Sequence, residues 1–325
     1  MQDSARNGQI VAFAFDSALP SESACGGSQA MRACLQCRVE CATLLRLMND
    51  AAHIPAESGP RRISVLVLGI ALASLTVALT IAPLVSDRGV AGPLVTDSAR
   101  LGLGLSVLIG AFVVIVAIGA VVGRRVNAVV GLFAVGAGLS VLSMRSGNVE
   151  DLMFGSSRLA SMPFESLAWA ALLGVASFAI FRFAGRLPDF PIQHERDIDA
   201  IAGKSAMRSW IAGIAAPILA SLIVANVMKG QALGAAIVGS MAVGIIGRML
   251  APQTQPVFLV CVPVIAAAAG QAFFIFNGLA APADQLVAQT LPRLMYITPI
   301  DWAAGALVGV PLGFGWARSF VKQEA

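Results

Sequence analysis

Pro163-Phe164-Glu165-Ser166-Leu167-Ala168-Trp169-Ala170-Ala171-Leu172-Leu173-Gly174-Val175 in mid-chain has a near echo at the end. There the chain reads Pro299-Ile300-Asp301-Trp302-Ala303-Ala304-Gly305-Ala306-Leu307-Val308-Gly309-Val310. Each phrase has a proline, an acid and Trp-Ala-Ala, then an apolar run rich in small residues. A small gap is needed to align them. Taken as a repeat, the two phrases make the chain two copies of one membrane unit.

The composition around them supports a membrane setting. Of 325 residues, 57% are hydrophobic and 12% charged, whereas soluble domains average about 25% charged. The mean hydropathy of +0.81 is a property of the whole length, so the apolar excess is spread and not a single anchor. The class this defines is an all-α polytopic membrane protein. The net charge of +4 is then no sign of nucleic-acid binding, because basic residues in such proteins sit in loops and set topology. Two histidines, His53 and His194, leave little material for histidine-based metal or proton-relay chemistry.

Eight runs approach the ~20 apolar residues that cross a bilayer. They lie near 63–84, 101–122, 126–143, 164–184, 209–228, 232–251, 256–276 and 302–321. The third is the shortest. The second and third are separated by little more than Gly123-Arg124-Arg125, which predicts a tight antiparallel hairpin. With the N-terminus in the cytoplasm, only Arg88, Arg100, Arg145, Arg158, Lys229 and Arg293 of the 22 Lys and Arg face outward. That bias predicts both termini inside, in a cell membrane of the bacterial inner-membrane type.

The segment 185–207 is the most charged connection and contains Pro188, Pro191 and the run His194-Glu195-Arg196-Asp197-Ile198-Asp199. It divides a polar tail (1–60) and a first four-helix half (61–184) from a second four-helix half (208–325). Residues 1–24 carry acids and lack a basic start with a long apolar core, so no signal peptide is expected. The outer loops also correspond. Asp151, Arg158-Leu159 and Pro163 precede the fourth run as Asp284, Arg293-Leu294 and Pro299 precede the eighth. Four is even, so two such repeats would be parallel, related by an axis along the membrane normal.

Small residues suggest how the helices pack. Gly305, Gly309 and Gly313 recur every four residues in the eighth run, and Ser166, Ala170 and Gly174 in the fourth. Such faces let backbones approach closely where no hydrophobic effect drives association. The expectation is that helices four and eight are central and tightly packed.

Glu165 and Asp301, with Trp169 and Trp302, form the candidate outer-face site. The ordinary reading is that an acid in the first turn suits the helix dipole and Trp prefers the interface. The functional reading has the two carboxylates facing across a pseudo-twofold axis, as a cation or solute site. Elsewhere the apolar runs hold few ionisable groups. Arg182 and Arg248 lie near inner ends and are expected to snorkel. The scarcity counts against a proton or sodium pump and against a membrane protease, since pumps carry charge in mid-helix. Asn226, Gln271 and Asn277 are candidate buried polar groups. Pro83, Pro217, Pro263 and Pro311 are candidate breaks.

The tail holds Cys25, Cys34, Cys37 and Cys41. In a reducing compartment four thiolates point to zinc before disulfides. Cys34-Leu-Gln-Cys37-Arg38-Val-Glu40 resembles the second half of the zinc-binding anti-sigma motif, with Ala30 where that motif has histidine. The resemblance covers a few residues and implies a zinc-binding regulatory head. Met48-Asn-Asp offers a second start for translation, which would omit the cysteines. Cys261 is expected in buried packing.

No phosphate loop, dinucleotide fingerprint, HExxH or nucleophile elbow is present. The expected function is transport or permeation of a small or amphipathic solute. The alternative is a regulatory or scaffold membrane protein with the Cys-rich head. An enzyme acting on lipid is least supported. The expected partners are the bilayer, a small solute and a second copy of the chain, with no nucleic acid.

Overall fold

The computed structural model describes residues 59–86, 91–155, 159–185, 203–252, 255–277, 279 and 281–317. Among these residues every regular element is helical, and β pairing is limited to isolated bridges, Val85 with Ala91 and Ser86 with Ser98. Eight helices are long and apolar enough to cross a membrane. They are α1 (Gly59–Ala78), α2 (Leu101–Arg125), α3 (Ala128–Arg145), α4 (Met162–Ala184), α5 (Lys204–Trp210, resuming as Ala215–Ile223), α6 (Lys229–Leu250), α7 (Val262–Phe276) and α8 (Pro299–Ala317). This is an integral membrane protein of the all-α polytopic class.

Local chemistry sets several boundaries. α2 continues through Arg124 and Arg125, and the hairpin turns at Val126 and Asn127. Asn127 caps α3, its side chain accepting from the Val130 amide at 2.8 Å. α5 tightens into a 3₁₀ turn at Ile211–Ile214 before Pro217. A proline ring crowds the carbonyl four residues earlier, here Gly213, and removes one helical donor, which accounts for the break. α8 carries Pro311 inside it and stays helical.

Consecutive spans alternate in direction, so the bundle has two ends. One carries the long connections 79–100, 146–161 and 277–298 and is called the loop face. The other carries Arg124, Arg125 and Arg248 and is called the basic face. Large apolar side chains line the outside, among them Val67, Leu68, Leu75, Val113, Phe164, Val175, Phe178 and Leu222. A surface so apolar belongs against lipid.

The interior is organised around α8, of which 83% is buried. It lies between α6 and α3, while α4 packs on α7 and on α2. The glycine seam of α8 closes on α6. A methyl on Gly305 would sit 2.6 Å from the Ala236 methyl, and methyls on Gly309 and Gly313 would run into the carbonyls of Ile237 and Met241. The two helices are parallel, both starting at the loop face, so the seam runs their shared length. Gly136 of α3 brings a second backbone against Leu307. Of helices four and eight, both expected to be central and tightly packed, α8 is so, and α4 touches it without being its main partner. The seam partner is α6, and only 33% of α4 is buried. The small face of α4 serves another neighbour, since Gly174 meets Cys261, whose thiol is buried.

Candidate functional site

At the loop face, Thr298-Pro299-Ile300-Asp301 starts α8. Its spacing is that of a capping box, with proline in the first helical position. The Thr298 amide donates to Asp301 Oδ2 at 3.0 Å, and the Thr298 hydroxyl donates to the same oxygen at 2.7 Å. The box fixes the carboxylate beside the first turn of α6, whose first residue is Lys229. Lys229 Nζ lies 3.0 Å from Asp301 Oδ1 and 3.1 Å from Oδ2. It also donates to Thr298 Oγ1 at 3.0 Å and to the Gly147 carbonyl at 3.1 Å. Ser143, near the end of α3, donates to Asp301 Oδ1 at 2.5 Å.

Every donor and acceptor here has a partner. The three protons of an ammonium match three acceptor residues, and a carboxylate has about four lone-pair directions. Asp301 is fully buried and the Lys229 side chain is 10% exposed. The dipoles are mixed. Asp301 suits the N-terminus of α8, whereas Lys229 opposes that of α6. Gly147, just past the C-terminus of α3, offsets this by giving Lys229 a carbonyl. The cluster joins the two sequence halves, because Ser143 and Gly147 precede the charged linker while Lys229, Thr298 and Asp301 follow it.

Glu165 has a different environment. Its Oε1 accepts from the Val95 amide at 3.0 Å, and Oε2 from the Thr96 amide and hydroxyl at 3.4 and 3.3 Å. The carboxylate thereby caps a 3₁₀ turn, Val95–Asp97, in the connection between α1 and α2. Glu165 and Asp301 share no partner among the described residues. Trp169 and Trp302 are buried inside the helix bundle and not at a lipid interface. Trp169 bonds Glu165 and stands edge-on to Phe112, with ring centroids 6.0 Å apart. Trp302 is wholly buried, and its indole nitrogen has no partner among the described residues.

A second polar chain crosses between the halves. Ser166 of α4 donates to Gln271 Oε1 at 2.9 Å, and Gln271 Nε2 donates to the Ile297 carbonyl at 3.1 Å. Gln271 is therefore a buried polar residue, as expected, while Asn226 and Asn277 are exposed. Arg182 is exposed, but Arg248 is only 8% exposed, so it does not reach out to water. The sequence-based view that buried charge is nearly absent is corrected by Asp301, Lys229, Glu165 and Arg248. Cys25, Cys34, Cys37 and Cys41 lie outside the described residues, as do His194 and the acids after it.

No family model matches the chain, and no curated protein or solved structure does.

Proposed function

We propose that the chain is a permease for a small or amphipathic solute, built from two parallel four-helix repeats with the solute path along the seam between them. Both termini are on the cytoplasmic side of a bacterial inner membrane in this reading, which rests on the bias of Lys and Arg. The observation that carries the proposal is the buried Lys229–Asp301 pair, held by Ser143 and Gly147 of the other half. Ionisable groups buried within a membrane bundle mark substrate and ion pathways by default.

Helix packing supports the repeat. Shifting each helix by four exchanges α3 on α8 with α7 on α4, and both pairs are in contact. The short helices of the third outer connections, Val149–Gly155 and Pro282–Val287, also meet each other. These contacts are the ones a twofold axis along the membrane normal would generate.

The physics of the pair suits a gate. Kept dry, a paired and fully bonded carboxylate resists separation, because removing one partner leaves a buried charge at a cost of about 3–5 kcal/mol. Once water enters, an ion pair is worth roughly 0–1 kcal/mol. Hydration of the loop-face mouth therefore releases the contact, and drying restores it. The Ser166–Gln271–Ile297 chain adds neutral polar groups to the same seam.

The test is stopped-flow light scattering of proteoliposomes challenged with urea, glycerol, alanine and choline. Entry of at least one solute faster than in protein-free liposomes, altered by Asp301→Asn, supports the reading. Rates equal to protein-free liposomes for all four would count against it.

A further inference from the structure

The connection between α1 and α2 runs from Glu165 to the ion pair. At one end Glu165, in the first turn of α4, accepts from the Val95 amide at 3.0 Å and from the Thr96 amide and hydroxyl at 3.4 and 3.3 Å. At the other end the Ala91 carbonyl accepts from the Gly147 amide at 2.7 Å. The Gly147 carbonyl in turn accepts from Lys229 Nζ at 3.1 Å. Only Gly92, Pro93 and Leu94 separate the two attachment points, and Leu94 is buried.

We infer that Glu165 is a positioning residue for Lys229, acting through residues 91–96 and Gly147. A carboxylate accepts hydrogen bonds about twice as strong as a neutral acceptor does. Glu165 is 8% exposed, so the 91–96 segment cannot lift away without leaving a dry, unmatched charge. The segment is stiff as well as pinned. Pro93 fixes one backbone angle, and the Asp97 and Ser98 amides close the turn on the Leu94 and Val95 carbonyls, both at 3.2 Å. Ala91 is therefore held where its carbonyl meets Gly147.

Gly147 passes that restraint to the ion pair. Its amide faces Ala91 and its carbonyl faces Lys229, so both bonds belong to one residue. A side chain there has no space, since a methyl would lie 2.9 Å from the Ala91 carbonyl oxygen and 2.5 Å from Asp151 Oδ2. Lys229 has three acceptor residues for three ammonium protons. When Glu165 lets go, the Gly147 carbonyl is free to drift, and one proton of a largely buried ammonium loses its acceptor. Lys229 then turns to water. In the permease reading, on which this role in the gate rests, Glu165 sets how firmly the pair stays shut; the effect on Lys229 itself needs no solute.

The experiment acetylates the full chain in a nonionic detergent with N-hydroxysulfosuccinimide acetate and follows each lysine by peptide mass spectrometry. Exposed Lys204 calibrates the reagent, and the buried Cys261 thiol, probed with maleimide, reports unfolding. Lys229 should be labelled about threefold faster or more in Glu165→Ala, the size of a typical coupling between separated sites, while Lys204 and Cys261 stay at wild-type rates. Glu165→Gln, which keeps the volume and one acceptor oxygen, should fall between. Gly147→Ala should also speed Lys229, and combining it with Glu165→Ala should add nothing beyond the faster single variant. If Glu165→Ala exposes Cys261, Glu165→Gln takes its place and must label Lys229 faster than wild type. Wild-type labelling of Lys229 in the folded Glu165 variant, or single effects that multiply in the double variant, would overturn the inference. Loss of all solute flux in proteoliposomes, with Lys229 labelled as predicted, would sink the permease and leave this coupling standing.

Discussion

Asp301 holds Lys229 at 3.0 Å, from the first turn of one buried helix to the first residue of its parallel neighbour. The glycine seam makes this possible, since Gly305, Gly309 and Gly313 let α8 approach α6 closely enough for their starts to share a bond. Breaking the pair from one side should be severe. Lys229→Met should cost about 3–5 kcal/mol by leaving Asp301 charged and dry. Adding Asp301→Leu to that variant should restore at least half. A double-mutant cycle read by denaturant unfolding in detergent checks this, and single variants within about 1 kcal/mol of wild type would show that water already reaches the pair.

The seam itself predicts a contrast between glycines. Gly309→Ala pushes a methyl into the Ile237 carbonyl and should cost about 1–3 kcal/mol, the usual penalty of overpacking. Gly315→Ala meets nothing within 4 Å and should be neutral or stabilising by up to about 1 kcal/mol through helix propensity. Melting temperatures of the two purified variants provide the comparison.

Glu165 acts on the connection between α1 and α2, through Val95 and Thr96. Glu165→Ala should free the Val95 and Thr96 amides. Losing hydrogen bonds to a charged acceptor, worth about 1.5–3 kcal/mol, should speed exchange of those two amides tenfold or more. Hydrogen-exchange mass spectrometry of a peptide covering 94–100 reads this directly, with a peptide from α8 as the unaffected control.

Much of this was legible in the chain. Eight spans followed from apolar runs of the right length, and the spacing of Gly305, Gly309 and Gly313 marked a close-packed face. The partner of that face was not legible, because a four-residue period says which side of a helix is small and nothing about which neighbour fills it. Lys229 was obscured for a similar reason. In Met228-Lys229-Gly230 it reads as a loop cation, and its partner lies 72 residues away. One signal was available. Thr298-Pro299-Ile300-Asp301 has capping-box spacing, which fixes the carboxylate in the first turn and leaves it free to take a cation. The burial of Trp169 and Trp302 depended on which helices pack against α4 and α8, which spacing does not encode.

Ser166 and Gln271 make a neutral counterpart to the ion pair. Ser166→Ala removes one donor with little change of volume and leaves Gln271 Oε1 buried and unbonded. The expected loss is about 1–3 kcal/mol. Gln271→Leu removes the amide altogether and leaves only the Ile297 carbonyl and the Ser166 hydroxyl unmatched. Unfolding midpoints of both variants would show whether the chain braces α4 against the start of α8.

In the proposed permease the Asp301 contact opens during solute passage. The direct measurement is flux through a lock. Met144→Cys and Gly230→Cys, neighbours across the two halves that leave Asp301 and Lys229 intact, are combined with Cys25→Ser, Cys34→Ser, Cys37→Ser, Cys41→Ser and Cys261→Ala, and proteoliposomes are tested with urea, glycerol, alanine and choline before and after oxidation. The gate predicts that oxidation brings flux down to the protein-free rate and that dithiothreitol restores it. Equal flux in the cross-linked and reduced forms would contradict it.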